Sequence, residues 1–253
     1  MVNMKDVEVL PIYNHLGKVK NRVSKVGIEL EGGWKWAEFP EGERYEIDRS
    51  VFRERTTKQR IMAKELMIQT LGELTSKPML PAKIGVWMKK CYPHMVDETC
   101  GLHMHMSFDT KVYYSLLIRP EVQKTMIDSL SKWGQEEGLP ASHPLWERLS
   151  GNNEYCNHEF YGDLQIQTGY KKDYNHFRPG NRYTAVAYRK GETIECRMLP
   201  MFETVDQSVR ALKRVIDTTN ACLVTIAERQ KPEVLEMDDL PIGGVLERDV
   251  LGI

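Results

Sequence analysis

Three short segments carry ionisable side chains two residues apart. Glu29 and Glu31 lie in Gly27-Ile28-Glu29-Leu30-Glu31, His103 and His105 in Gly101-Leu102-His103-Met104-His105, and Glu195 and Arg197 in Thr193-Ile194-Glu195-Cys196-Arg197. The residue between each pair is apolar: Leu30, Met104 or Cys196. Successive side chains of a strand point to opposite faces, so a spacing of two puts both members of a pair on one face. A wetted face of an amphipathic strand accounts for any one such pair. Three of them point to a shared face. Carboxylates and imidazoles converging there repel or stay unpaired unless cations lie between them. Hard divalent cations take carboxylate oxygens with an occasional imidazole, and they bridge nucleotide phosphates. Arg197 beside Glu195 suits bidentate contact to a phosphoryl oxygen.

The elements that must position these residues follow from pattern. Val23 to Leu30 predicts a strand with Val26 and Ile28 on one face and Gly27, Glu29 and Glu31 on the other, ended by Gly32-Gly33. Residues 40–50 read as a connector or hairpin. Arg53 to Thr70 predicts a helix, with Ile61, Leu66, Met67 and Ile68 among charged neighbours. The stretch from Gly72 to Pro78 reads as a short strand or loop stopped by proline. Further helices are expected at 81–92, 120–137, 144–150 and 204–229, and a strand where 101–108 alternates. Arg182–Tyr188 and Glu192–Leu199 form a hairpin across Arg189-Lys190-Gly191. The long polar and aromatic stretch 151–180 has the character of a binding loop or lid. These elements give an α+β fold in one domain over 1–253, with an N-terminal arm to about residue 20 and a C-terminal tail from about 232.

Composition narrows the function classes. The chain has 253 residues, 41% hydrophobic and 28% charged, an ordinary globular balance. No run of 18 apolar residues is present, so no transmembrane helix is expected. The polar start argues against a secretory signal, and the chain reads as cytoplasmic. Five cysteines without a Cys-x-x-Cys pair read as reduced thiols. Formal charge is −1, with 35 basic and 36 acidic residues, so the global basic excess of a nucleic-acid binder is missing; a local patch stays open. Neither a Gly-x-Gly-x-x-Gly fingerprint nor a Gly-x4-Gly-Lys-[Ser/Thr] loop occurs. Any nucleotide phosphates must therefore be held by metals and arginines.

In order, Gly-x-Glu-x-Glu, Gly-Leu-His-x-His-x-Ser, Asn-Arg-Tyr-x-Ala-Val and Ile-Glu-x-Arg resemble the glutamine synthetase superfamily. The likeness is nearest to the amidoligases (carboxylate–amine ligases) of bacteria and their phages. Ile47-Asp48-Arg49-Ser50-Val51 is similar to that family's Asp-Gly-Ser-Leu turn, and Gly72-Glu73-Leu74-Thr75-Ser76-Lys77-Pro78 to its Glu-Leu-Val-Ser-Pro stretch. The resemblance spans about 26 to 225 and is weak over 109–145. It implies a glutamine synthetase-like catalytic domain, a curved and mostly antiparallel sheet with helices on its convex side. The concave face would hold ATP and Mg²⁺ or Mn²⁺, two or more ions in all.

Residue by residue, Glu29, His103 and Glu195 resemble the set holding the metal nearer the transferred phosphoryl group. Glu31 and Glu73 resemble ligands of the metal nearer the substrate, with a further ligand from Asp48 or the middle helix. His105 resembles the histidine that reaches the ATP phosphates, and Arg182 and Arg197 the arginines that neutralise the phosphoryl group. With Glu29 so early in the sequence, the N-terminal β-grasp domain of glutamine synthetase is not expected. The implied reaction joins a small-molecule or peptide carboxylate to an amine through an acyl phosphate; a modified nucleobase is a further candidate substrate. Two alternatives stand beside it: a related ATP-dependent phosphoryl transferase, and an inactive binding protein of the same fold.

Other residues are read more plainly. Glu159 and Asp163 are candidates for a general base, although solvated loop carboxylates are the simpler reading. Cys156 and His158 have metal-ligand spacing but form no complete set. His143, His158 and His176 read as surface histidines or substrate contacts. Arg148 reads as a substrate-carboxylate clamp or as a helix-surface arginine. Nothing in the sequence fixes the oligomeric state.

Overall fold

The computed structural model describes residues 22–35, 38–40, 42–48, 51, 57–108, 117–153, 155–158, 184–189 and 193–229. The predicted arm and tail, most of the 151–180 stretch, and Glu159, Asp163, His176 and Arg182 lie outside them.

Alternating burial builds the sheet. β1 (Val23–Trp34) buries Val26, Ile28 and Leu30 on one side and presents Gly27, Glu29 and Glu31 on the other. β2 (Arg44–Glu46), β3 (Thr70–Thr75), β4 (Gly101–Phe108), β5 (Val186–Arg189) and β6 (Thr193–Pro200) complete a six-stranded sheet. Its order is β2-β3-β1-β4-β6-β5, and every neighbouring pair is antiparallel. The helices are α1 (Thr57–Glu65), α2 (Ile84–Cys91), α3 (Pro120–Glu136), α4 (Pro144–Ser150) and α5 (Val205–Arg229), which with the sheet make the fold α+β.

The long helix α5 lies against the apolar side of the sheet. Thr219 Oγ1 donates to Met106 Sδ at 3.5 Å, and Asn220 Oδ1 accepts from the Val23 amide at 2.9 Å. At the other end of α5, the Tyr92 hydroxyl meets the Phe202 carbonyl and Ser208, tying α2 to the helix start. Leu212, Val215 and Leu223 of α5 join Ile28, Leu30, Leu102, Met104 and Met106 in one core cluster. Burying each such side chain contributes about 1.5–3 kcal/mol, and this core fixes the plane on which the polar residues stand. No described helix is long and apolar enough to cross a membrane.

Three elements differ from the sequence expectation. β1 runs through Gly32-Gly33 instead of ending there. The glycines are needed for close approach: a Cβ on Gly32 would stand 2.5 Å from Pro93 Cβ and 2.9 Å from the Met95 carbonyl. The Gly33 amide donates to that same carbonyl, so segment 93–95 covers the strand. The helix expected to reach Thr70 stops at Glu65, where Met67 takes a left-handed φ of 54° and the chain turns into β3. The second strand pair starts at Val186, because the Ala185 amide donates to the Asn157 carbonyl rather than extending the hairpin.

The glycines separate by role. Gly32→Ala is expected to destabilise the fold by about 1–3 kcal/mol through overpacking against Pro93 and Met95. Gly85→Ala, where a Cβ meets open space in α2, is expected to stabilise by about 0.5–1 kcal/mol. Urea denaturation of the two variants measures both, and the same sign for both would contradict the packing described.

Candidate functional site

Register brings the three pairs together. Glu29 lies opposite His103, Glu31 opposite Glu73, and His105 opposite Glu195. Opposed residues of antiparallel strands share a face, so four adjacent strands contribute to one acidic surface.

Two clusters result. Glu29, His103 and Glu195 form one, and Glu31, Asp48 and Glu73 the other; within each, one ligand atom per residue lies within 4.8 Å of the rest. His103 stands between them. Its Nδ1 is 3.2 Å from Glu29 Oε2 and 3.9 Å from Glu195 Oε1, while its Nε2 faces Glu31 Oε1 at 3.7 Å. His105 Nε2 lies 2.8 Å from Glu29 Oε1, and its Nδ1 is 3.3 Å from Thr193 Oγ1. His103 and Glu195 are 1% and 2% exposed. Gly101 has no side chain because that space is taken: a Cβ would stand 2.4 Å from His103 Nε2 and 3.0 Å from Glu31 Oε2. The Gly101 amide donates to Glu31 Oε2, which fixes that carboxylate.

The donors fit a hard divalent cation. Carboxylate oxygens dominate, with imidazole in one cluster, as Mg²⁺ and Mn²⁺ accept. Two oxygens bound to one Mg²⁺ at about 2.1 Å are at most about 4.2 Å apart, so the clusters need only small side-chain adjustments. His103 Nε2 is a buried polar atom with no hydrogen-bond partner, a cost expected where another ligand completes a site.

Charge explains the electrostatics. Burial opposes ionisation of Glu29, yet hydrogen bonds from His103 and His105 overcome it and hold its carboxyl far below the usual range. Burial likewise opposes ionisation of Glu195, and Arg197, Arg189 and His105 hold its carboxyl low. His105 is raised: burial works against its charged form, but the Glu29 hydrogen bond and the charges of Glu195 and Glu29 prevail. Glu73 is pushed up to about 7, first by burial and then by the charge of Glu29, with Glu31 and Asp48 adding to it. Neighbouring carboxylates thus add to the effect of burial at Glu73.

Most residues singled out from the sequence gather here: Glu29, Glu31, Glu73, His103, His105, Glu195 and Arg197. Of the two sources named for a further ligand, Asp48 stands in the second cluster. Arg197 Nη1 donates to Glu195 Oε1 at 2.7 Å, and its Nε donates to the Tyr155 carbonyl at 3.2 Å. Arg189 was missed. It reads as a turn residue in sequence, but it ends β5 and donates from Nε to Glu195 Oε2. Its place two residues beyond Ala187, itself opposite Glu195, was the available signal.

Arg148 corrects an expectation. It is neither on the helix surface nor in the acidic site but 1% exposed, donating to the carbonyls of Arg197 and Thr99. Cys156 Sγ and His158 Nε2 both donate to the Arg148 carbonyl and so tie down backbone. His143 accepts from the Leu145 amide at the start of α4 and stacks on Phe202.

The chain matches no protein-family model, no curated protein and no solved structure.

Glu73 gives a pH test. Its folded value of about 7 lies above the ordinary 4.5, so the folded protein keeps a proton that the unfolded chain loses. Metal-free stability therefore falls as pH rises from about 4.5 to about 7 through this group, and Glu73→Gln is expected to flatten that slope. Calorimetric Mn²⁺ titration at pH 6 in buffers of different ionisation enthalpy is expected to show about one more proton released by the native protein than by Glu73→Gln. Equal release from both would remove Glu73 from the ligand set.

Proposed function

We propose that this chain is an ATP- and divalent-metal-dependent carboxylate–amine ligase with a glutamine synthetase-like catalytic domain. The observation that carries the proposal is the pair of adjoining acidic clusters with Arg189 and Arg197 on the same sheet face. The order of the motifs along the chain supports it as well.

A bare carboxylate is a poor acyl donor, since its leaving group would be oxide. Transfer of the ATP γ-phosphoryl group to the acid gives an acyl phosphate and ADP. An amine then displaces phosphate, loses a proton and leaves the amide. Bound divalent cations would supply charge compensation on the phosphates. In this chain Glu29, His103 and Glu195 would hold the cation nearer the phosphoryl group, and Glu31, Glu73 and Asp48 the one nearer the acid. His105, already paired with Glu29, would reach the nucleotide phosphates. Arg197 and Arg189 spend their charge on Glu195 in the free protein. With Glu195 serving as a cation ligand, both guanidinium groups would be available to the phosphoryl oxygens, where positioned positive charge lowers the barrier most. Arg182 has the same role by resemblance. The amine and acid are small molecules or peptide groups.

Phosphate release from ATP and Mg²⁺ with pools of carboxylates and amines tests the proposal. Release is expected to require both an acid and an amine. It should vanish in Glu29→Ala and fall on the order of 10³-fold in Arg197→Lys, by analogy with arginine clamps on phosphoryl groups. Phosphorylated acid accumulating without an amine requirement would make the protein a phosphoryl transferase. No release from any pool, with no rise in melting temperature on adding ATP and Mg²⁺, would leave only a binding protein.

A further inference from the structure

β6 bulges beside the acidic site. Leu102 pairs with Leu199 and Met104 with Cys196, so His103 faces Arg197 and Met198 together. Bulges bend a strand and re-aim a side chain, and they disturb the local hydrogen-bond ladder. The Arg197 amide still donates to the Ala185 carbonyl, but the Ala185 amide is turned to Asn157. Arg148 fills in at this point. Its Nη1 donates to the Arg197 carbonyl at 3.3 Å and its Nη2 to the Thr99 carbonyl at 3.5 Å, linking the bulge to the residues just before β4.

Arg148 is costly where it stands. It is 1% exposed, its Nε has no partner, and among the described residues no carboxylate lies within ion-pair distance. A buried guanidinium without a carboxylate is unfavourable, and backbone carbonyls give only partial compensation. Its own carbonyl is held in turn by Cys156 Sγ and His158 Nε2, and the intervening Tyr155 carbonyl receives Arg197 Nε. Gly151 makes this closure by its left-handed φ of 78°, and a Cβ there would meet the His158 ring at 2.9 Å.

We infer that Arg148 is a positioning residue for Arg197. It braces the bulged backbone from below while the 155–158 segment holds the Arg197 fork, so that Nη1 meets Glu195 on the acidic face. The inference deepens the proposed ligase site and rests on that reading only for its nucleotide arm.

Two measurements on the full chain decide it. Arginine side-chain NMR follows the Arg197 Nε–H signal, assigned by its loss in Arg197→Lys. Arg148→Met keeps the length and removes the donors. It is expected to shift the signal and speed its exchange at least about tenfold, with Arg148→Lys in between, while core amides such as Ile28 and Leu30 keep theirs. If the Met variant does not fold, the Lys variant carries the comparison. An unmoved Arg197 signal, or loss of protection spread evenly through the core, overturns the positioning role. Calorimetric binding of Mg²⁺ with the non-hydrolysable β,γ-imido analogue of ATP to the native protein, Arg148→Met, Arg197→Lys and the double variant is the second arm. Arg148→Met is expected to weaken binding about tenfold with Arg197 present and little without it; independent, multiplying losses overturn the inference. If the native protein does not bind this Mg²⁺·nucleotide analogue, the ligase reading fails and the NMR result alone decides the role of Arg148.

Discussion

The structure depends on crowding five carboxylates onto one sheet face. The carboxylates of Glu29, Glu31, Asp48, Glu73 and Glu195 stand there with the guanidinium groups of Arg189 and Arg197. At about 5 Å and an effective dielectric of about 20, two like charges repel by about 3 kcal/mol. The free protein meets this in two ways. The Glu29–Glu195 side uses His103, His105 and both arginines, whereas the Glu31–Glu73 side leaves Glu73 protonated toward neutrality. Divalent cations would relieve both sides in the two places where the ligand atoms already converge.

Such a face can persist only if the sheet beneath it is stiff. Strict alternation supplies that, because the residues between the charged ones, Leu30, Met104 and Cys196, are each at most 1% exposed. The glycines serve the same end from the other direction. Gly101 leaves room for the His103 ring over β4, and Gly32 and Gly33 let segment 93–95 press onto β1. The bulge in β6 is where the regular ladder yields to the site, so Arg148 is buried at that point.

What the sequence revealed was what depends on period. A spacing of two put Glu29 with Glu31 and His103 with His105, and β1 and β4 carry them as expected. Pairing between distant segments was less legible. That Glu73 falls opposite Glu31, and Arg189 beside Glu195, is set by sheet order, and turn-like composition hid Arg189. Arg148 sits in Trp146-Glu147-Arg148-Leu149, a pattern that reads as an ordinary helix surface, because its burial depends on a carbonyl 49 residues away. The helix expected to run to Thr70 failed for a local reason, the left-handed turn at Met67, a residue type that gives no such signal.

The central claim is that the acidic face is a two-cation site. Mn²⁺ titration of the purified chain, followed by electron paramagnetic resonance, tests it most directly. The account predicts two ions per chain, with signals broadened by spin–spin coupling because the clusters adjoin through Glu29, Glu31 and His103. Glu31→Gln should leave one uncoupled ion. No saturable binding, or one ion unaffected by changes at Glu29 and Glu31, would contradict it.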